Sequence, residues 1–307
     1  MLLRNCFTAS LLFCVFATAA IAQGTPGGKT TIITEFTPLS QEELQKGTIR
    51  LFDGFSTYGW KGDVKVENRI LYFKDFEEKF EDTPYWFFKP GAEKLVQYPA
   101  IPQAEVRQME RGKLPPLRGF ELRVEGQKPL FDGKTLDGWK LHGKAEAVVE
   151  NGTIKLTNGS GSLESEGKYG DFILQLEYKT DKVVNSGVFF RSIPGEIMNG
   201  YECQILNNSP DGDYEKFIGT DTGGIFRRQV GRNVGPKDGE WNYLTIAAKG
   251  NRMATWVNGI QVTDWTDERT PHNNPRNGSR TEAGTIQFQG HDPGTEIWFR
   301  NIRIREL

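Results

Sequence analysis

The sequence predicts an all-β protein: an antiparallel β-sandwich of jelly-roll type, preceded by a small irregular N-terminal segment with one short helix. Three features carry that expectation. Several segments alternate strictly between apolar and polar residues, glycine-rich turns separate them, and almost no stretch repeats with a helical period. Composition agrees. Of 307 residues 35 are Gly and 12% are aromatic, as suits turns that need positive φ and strands that favour flat rings. With Lys+Arg 38 against Asp+Glu 40 and a net charge of −2, no basic excess is available to offset phosphates, so nucleic acid is not an expected partner.

Residues 1–22 read as a secretory signal peptide. Arg4 supplies the positive start, Leu11 to Phe16 the apolar core, and Ala20-Ile21-Ala22 a small-x-small cleavage site before Gln23. The apolar stretch is short for a bilayer span, so the mature chain is expected to be exported, periplasmic or secreted, without membrane insertion. Cleavage removes Cys6 and Cys14, leaving Cys203 alone and no intrachain disulfide. Cys203 alternates with Glu202 and Gln204, which places it on an apolar strand face as a small hydrophobe.

An internal repeat follows. LFDGFSTYGWK (51–61) recurs as LFDGKTLDGWK (130–140), and a Val-Glu-Asn step trails each copy, at 66–68 and 149–151. The first copy is too close to the second to be a full repeat, so it reads as a truncated relative of the domain that follows. Ser40-Gln41-Glu42-Glu43 is a capping-box signal for a short helix ended by Gly47. Residues 75–80 and 104–111 are charged, with helical potential, and the prolines from Pro84 to Pro116 mark loop and linker. The expected organisation is signal peptide 1–22, N-terminal segment 23–126, and sandwich domain 127–307.

In the sandwich domain, DFILQLEYK (171–179) sets Leu174, Leu176 and Tyr178 against Ile173, Gln175 and Glu177. GVFFR (187–191) sets Val188 and Phe190 against Phe189 and Arg191. YECQIL (201–206) sets Tyr201, Cys203 and Ile205 against Glu202, Gln204 and Leu206, and TIQFQGH (285–291) sets Ile286 and Phe288 against Gln287 and Gln289. Asn258-Gly259 is a type I′ hairpin signal. The polar faces carry Glu177, Arg191, Glu202, Gln204 and Gln289, side chains suited to directed hydrogen bonds with a polyhydroxylated ligand. Two readings stay open at this point: one concave ligand face, or an ordinary solvated face with cross-strand ion pairs.

The motifs LFDGKTLDGWK, YGDFILQLEYK, NSGVFFR, GYECQILN, GEWNYLTIAAKGNRMATWVNGIQVTDW and GTIQFQGHDPGTEIWFRNIRIREL, in this order over 130–307, resemble the 3-keto-disaccharide hydrolase family. That family was long catalogued as a domain of unknown function. The resemblance implies a concanavalin A-like or laminin-G-like sandwich in an exported bacterial protein acting on glycosides already oxidised at sugar position 3. It also implies groove positions at Glu177, Arg191, Glu202, Gln204, Gln289 and His291. One departure is the run Thr222-Gly223-Gly224-Ile225-Phe226, where members often have a tyrosine.

A 3-keto sugar permits a short route. The ketone acidifies the proton on carbon 2, its removal gives an enolate that expels the aglycone from carbon 1, and water then adds. Glu202 or His291 is the candidate base and the other the candidate acid. Arg191 is the candidate for the enolate, Gln204 and Gln289 for orienting hydroxyls, and Glu177 for pairing with Arg191. The expected partner is an oxidised mono- or disaccharide glycoside. No cofactor is expected, because His142, His272 and His291 are scattered and no metal-ligand spacing or phosphate loop appears. A divalent cation at Glu202 and His291 is left open. Two rival classes remain: a non-catalytic carbohydrate-binding module, using Tyr201, Trp241, Trp256 and Trp298 as stacking rings, and a structural or adhesive envelope protein with 23–126 as a docking arm.

Overall fold

A computed structural model describes residues 39–53, 56–59, 64–67, 70–73, 95–97, 120–208, 213–218 and 221–307. Residues 1–22, expected to be a signal peptide, with Cys6 and Cys14, the charged stretches 75–80 and 104–111, and the proline-marked stretch 84–116 apart from 95–97 lie outside the described residues. Within them the chain runs α1 (Gln41–Gln45), β1 (Thr48–Phe52), β2 (Val64–Glu67), β3 (Ile70–Phe73), β4 (Leu95–Gln97) and β5 (Phe120–Arg123). The sandwich follows, with β6 (Lys128–Pro129), β7 (Trp139–Gly143), β8 (Glu146–Glu150), β9 (Thr153–Thr157), β10 (Gly161–Ser165), β11 (Phe172–Thr180), β12 (Ser186–Ser192) and β13 (Tyr201–Ile205). It is completed by β14 (Asp213–Ile218), β15 (Gly231–Asn233), β16 (Asn242–Lys249), β17 (Arg252–Val257), β18 (Ile260–Thr266), β19 (Thr285–Gly290) and β20 (Glu296–Glu306).

Two antiparallel sheets make the sandwich. One has the order β13-β12-β19-β10-β7, and the other β18-β17-β16-β11-β20-β9-β8, with β6 joined to β20. Alternation explains the core between them: Leu174, Leu176 and Tyr178 of β11 meet Val188 and Phe190 of β12, Cys203 and Ile205 of β13, and Phe288 of β19. Phe288 stacks on Phe299 at 4.3 Å and on Trp139 at 5.0 Å, which ties the two sheets together through aromatic contact. Cys203 is fully buried among these residues, and burial pushes its thiol pKa up, so it is held as the neutral thiol. Asn258 and Gly259 both have positive φ, as the type I′ turn between β17 and β18 demands.

The N-terminal elements follow the same local rules. The Ser40 side chain accepts from the Glu43 N–H, the Glu43 carboxylate returns to the Ser40 N–H, and Gly47 ends α1 at φ 80°. The two LFDG copies share one turn. Asp53 Oδ1 accepts the Ser56 N–H at 2.7 Å, and Asp132 Oδ1 accepts the Thr135 N–H at 2.8 Å. The Tyr58 and Asp137 N–H groups then each donate to the hydroxyl two residues back at 3.3 Å, and Gly59 and Gly138 both take positive φ.

The first copy lies against the outer face of the eight-stranded sheet. The Arg50 N–H donates to Gly259 O at 2.8 Å, Trp256 Nε1 donates to Arg50 O at 2.9 Å, and Tyr58 OH donates to Val262 O at 3.0 Å. Leu39 and Leu44 pack on Tyr243. Asp53 also meets Arg232 at 2.7 Å, both side chains being almost fully buried. Among the described residues no helix is long and apolar enough to cross a membrane.

Candidate active site

The outer face of the five-stranded sheet is polar, and its register is fixed residue by residue. Glu202 lies opposite Phe189, Phe189 opposite Gln287, Gln287 opposite Glu164, and Glu164 opposite Lys140. The next row runs Gln204, Gly187, Gln289, Ser162, His142. Both rows cross all five strands on the face turned away from the core, as a side-chain period of two requires.

In the first row every carboxylate has partners. Glu164 is buried and accepts from Thr285 OH at 2.6 Å, Gln287 Nε2 at 3.0 Å and the Gly195 N–H. Residues 193–200 form a strap over this row, held where the Met198 N–H donates to Gln287 Oε1 at 3.0 Å and Gln287 Nε2 donates to Glu196 O at 3.0 Å. Met198 has φ 59°. Its sulfur accepts from Gln289 Nε2 at 3.2 Å.

Glu202 is 4% exposed. Its Oε2 accepts from Arg276 Nη2 at 2.9 Å, and Arg276 is fixed in turn by Met198 O at 3.1 Å and by the face of Phe189 at 5.0 Å. Burial raises the Glu202 pKa, and Arg276, His291 and Arg227 pull against that rise without cancelling it. The carboxyl end leans over Gly187: a Cβ placed there would lie 3.0 Å from both Glu202 Cγ and Oε1. Gln204 donates to Asn185 Oδ1 at 2.8 Å. The side-chain oxygens of Gln204 and Gln289, on either side of Gly187, are buried without a hydrogen-bond partner.

The structure therefore brings together Glu202, Gln204 and Gln289, with His291 near enough to act electrostatically on Glu202. His291 is half-exposed, with Nδ1 2.8 Å from Asp292 Oδ1. Two of the expected groove residues lie elsewhere. Glu177 belongs to β11, so its polar face is the outer face of the other sheet. There it accepts from Arg300 Nη2 at 2.7 Å and from Asn301. Arg191 leaves the alternating face because the β12–β19 register slips between Phe189 and Ser192 and Arg191 takes φ 50°. Fully buried, it donates to Gly170 O at 2.9 Å, Gly250 O at 2.6 Å and Arg280 O at 3.0 Å, and pairs with Asp171 at 3.0 Å. It is a clamp between strand ends, and Glu177 does not pair with it.

The proposed stacking rings are also occupied. Tyr201 is buried and donates to Asp267 at 2.7 Å, and Trp256 is buried beneath the N-terminal segment. Arg300 lies 3.8 Å from the centre of the Trp241 ring, and Lys179 and Lys155 lie 4.9 and 5.0 Å from that of Trp298. Among the described residues no group of three or more His, Cys, Asp or Glu converges as a metal site would need.

The sequence signature of the 3-keto-alpha-glucoside-1,2-lyase-like domain matches residues 126–305. The chain belongs to this family. A Bacteroides thetaiotaomicron protein named 3-keto-disaccharide hydrolase is 27% identical, over 60% of this chain and 79% of its own. A crystal structure of a "putative glycosyl hydrolase" from Parabacteroides distasonis is 27% identical, with a TM-score of 0.48, covering 60% of this chain and all of that one. The carbohydrate-binding module CBM66 from Bacillus subtilis is 16% identical, with a TM-score of 0.40, over 55% of this chain and 96% of that one. Family membership covers the sandwich that carries the polar face; the first LFDG copy lies outside the matched residues.

Arg276, Met198, Ser162 and Glu164 complete the face and escaped the reading of the sequence, while His142 and Phe226 were noted there without being placed on it. Ser162 and Glu164 alternate about Leu163 in GSLES (161–165), a signal that was available. Arg276 and Met198 come from loops, where no period marks them. Phe226 stands in the Thr222-Gly223 run that lacks the family's tyrosine, and its ring centre lies 5.7 Å from the Arg276 guanidinium.

Proposed function

We propose that this face cleaves 3-keto-glycosides by elimination and hydration. Glu202 removes the proton on carbon 2. The electron pair passes through the enolate and expels the aglycone oxygen from carbon 1, leaving a double bond between carbons 1 and 2, and water then adds at carbon 1, so the net change is hydrolysis. A carboxylate whose pKa is raised by burial is a better base than a solvated one, and Arg276 opposes part of that rise by favouring the ionised form. Arg276 takes the enolate-stabilising role that the sequence assigned to Arg191, since its guanidinium already lies at the Glu202 carboxylate. His291 is the acid for the leaving oxygen. Gln204 and Gln289 orient sugar hydroxyls.

The observation that carries this reading is the arrangement about Gly187: a buried carboxylate above a position with no side chain, flanked by two amide oxygens without partners. The test is to incubate the protein with a 3-keto-glucoside and with its unoxidised parent. Aglycone release from the keto sugar alone, lost in Glu202→Gln with the melting temperature retained, supports the enzyme. Binding without release supports a carbohydrate-binding module, and neither supports an envelope protein. We also propose export, from residues 1–22 alone. Amino-terminal sequencing of the protein from its producing cell should begin at Gln23, and a start at Met1 would contradict it.

A further inference from the structure

The row that carries Glu202 does not stop at β13. Beyond that strand, residues 223–226 run along its edge. The Gly223 N–H donates to Gln204 O, the Gln204 N–H to Gly224 O and the Phe226 N–H to Glu202 O, each at 2.9 Å. Ile225 pairs with Cys203 and is buried in the core, so Phe226 takes the outward phase beside Glu202. The chain then turns back at once, with Ile225 and Gln229 exchanging backbone hydrogen bonds at 2.9 Å. Arg227 stands in that turn with φ 58°, a conformation that glycine or asparagine adopts with less strain. Backbone strain of this kind collects where ligands are held.

Charge at this end of the face is unbalanced. Glu202 pairs with Arg276, and Asp267 with Arg269. Arg227 and Arg228 add two more guanidinium groups and bring no carboxylate. Arg227 is exposed, with its guanidinium 5.0 Å from the centre of the Phe226 ring, and among the described residues it has no acidic partner. Arg228 donates to carbonyl oxygens only, those of Arg227 at 3.0 Å and Arg276 at 2.6 Å. Burial pushes the Arg228 pKa down, and Arg269 and Arg276 add to that push, so its charged form gains from an incoming anion. Proton abstraction at carbon 2 does not call for these two cations, because Arg276 already serves the Glu202 carboxylate. We propose that Arg227 and Arg228 form an anion subsite at the β13 edge of the face, so that the preferred substrate is a glycoside bearing an oxyanion group, a carboxylate in the simplest case. This inference rests on the elimination reading for the placement of the reacting ring at Glu202. Arg227 and Arg228 set specificity and take no part in the chemistry.

The test uses two pairs of substrates that differ in charge and hardly in shape. One pair is para-carboxyphenyl 3-keto-glucoside and its carbamoyl analogue, which place the anion on the aglycone. The other is methyl 3-keto-glucuronide and its amide, which place it on the reacting ring. In at least one pair, the ratio of kcat/KM for acid over amide should fall about 3- to 10-fold from wild type to Arg227→Asn/Arg228→Gln, mostly through KM. The wild-type ratio should also shrink as salt is raised. The pair that responds tells which half of the glycoside carries the anion. Ratios unchanged in both pairs, or a loss shared equally by acid and amide, overturn the subsite. Arg227→Asn alone suits φ 58° and removes an exposed side chain, so it provides a folded variant if Arg228→Gln disturbs Arg276. If wild type cleaves none of the four, the elimination reading fails. The subsite is then judged by calorimetry with the unoxidised parents: tighter binding of an acid than of its amide, lost in Arg227→Asn, supports it, and equal binding overturns it.

Discussion

Replacing Gly187 by alanine tests whether the position of the Glu202 carboxyl governs the rate. The added Cβ would stand 3.0 Å from both Cγ and Oε1 of Glu202, where ordinary contact is 3.4–4 Å. The neighbour is a side chain, not backbone, so the carboxyl can withdraw by the few tenths of an ångström the contact requires without disturbing the sheet. A misplacement of ~1 Å at a reacting group costs up to ~100-fold, so for a shift of a few tenths of an ångström kcat/KM on a 3-keto-glycoside should fall about 3- to 10-fold. Stability should barely move. The backbone entropy gained by replacing a strand glycine, about 0.5–1 kcal/mol, offsets the tightened contact, and the melting temperature should stay within ~4 °C of wild type. Steady-state kinetics with a thermal melt on the same sample reads both quantities. The double variant Gly187→Ala/Glu202→Asp, in which the crowded methylene is gone, should lose less than the two single losses multiplied together. Unchanged kcat/KM in Gly187→Ala, or a rate loss that merely follows a large drop in melting temperature, would refute the reasoning.

Arg276→Ala should lower the rate and move the acid limb of the kcat/KM profile to higher pH, because burial raises the Glu202 pKa and Arg276 is the largest influence opposing that rise. The sign for stability follows from the same shift. A raised folded-state pKa contributes stability at low pH that is lost as pH rises through it, so Glu202→Gln should gain in melting temperature relative to wild type as pH increases. Arg232→Met should cost about 3–5 kcal/mol, towards the lower end because Asp53 keeps its bonds to Ser56. Melting should show the loss, Asp53→Asn/Arg232→Met should recover most of it, and kcat should stay within twofold of wild type. Glu177→Gln should leave kcat/KM within about twofold while costing about 1–3 kcal/mol in melting, since Glu177 serves Arg300 and Asn301 on the opposite sheet.

Alternation made the core legible, because every second residue of β11, β12, β13 and β19 faces the other sheet. It equally marked Glu202, Gln204 and Gln289 as facing outward. What alternation does not encode is which sheet a strand joins. Glu177 and Glu202 occupy the same phase in their strands, yet β11 pairs with β16 and β20 whereas β13 pairs with β12. Arg191 shows a second limit: one residue with positive φ at a register slip turns a side chain away from the face its phase assigns. Arg276 shows a third, since a loop residue reaches Glu202 across 74 positions of sequence with no periodic signal. The LFDG repeat was legible as a repeat; that an aspartate accepts the backbone N–H three residues on in each copy comes from the structure. Its docking on the outer face of the eight-stranded sheet was not, because it depends on Arg232, Trp256 and Tyr58 meeting from separate segments.

The central claim is that Glu202 takes the proton from sugar carbon 2. A 3-keto-glycoside carrying deuterium at carbon 2, compared with its protium form under single-turnover conditions, tests it most directly. The account predicts slower aglycone release from the deuterated sugar in wild type, and no release from either form in Glu202→Gln. Equal rates for the two isotopic forms, with Glu202→Gln still active, would contradict it.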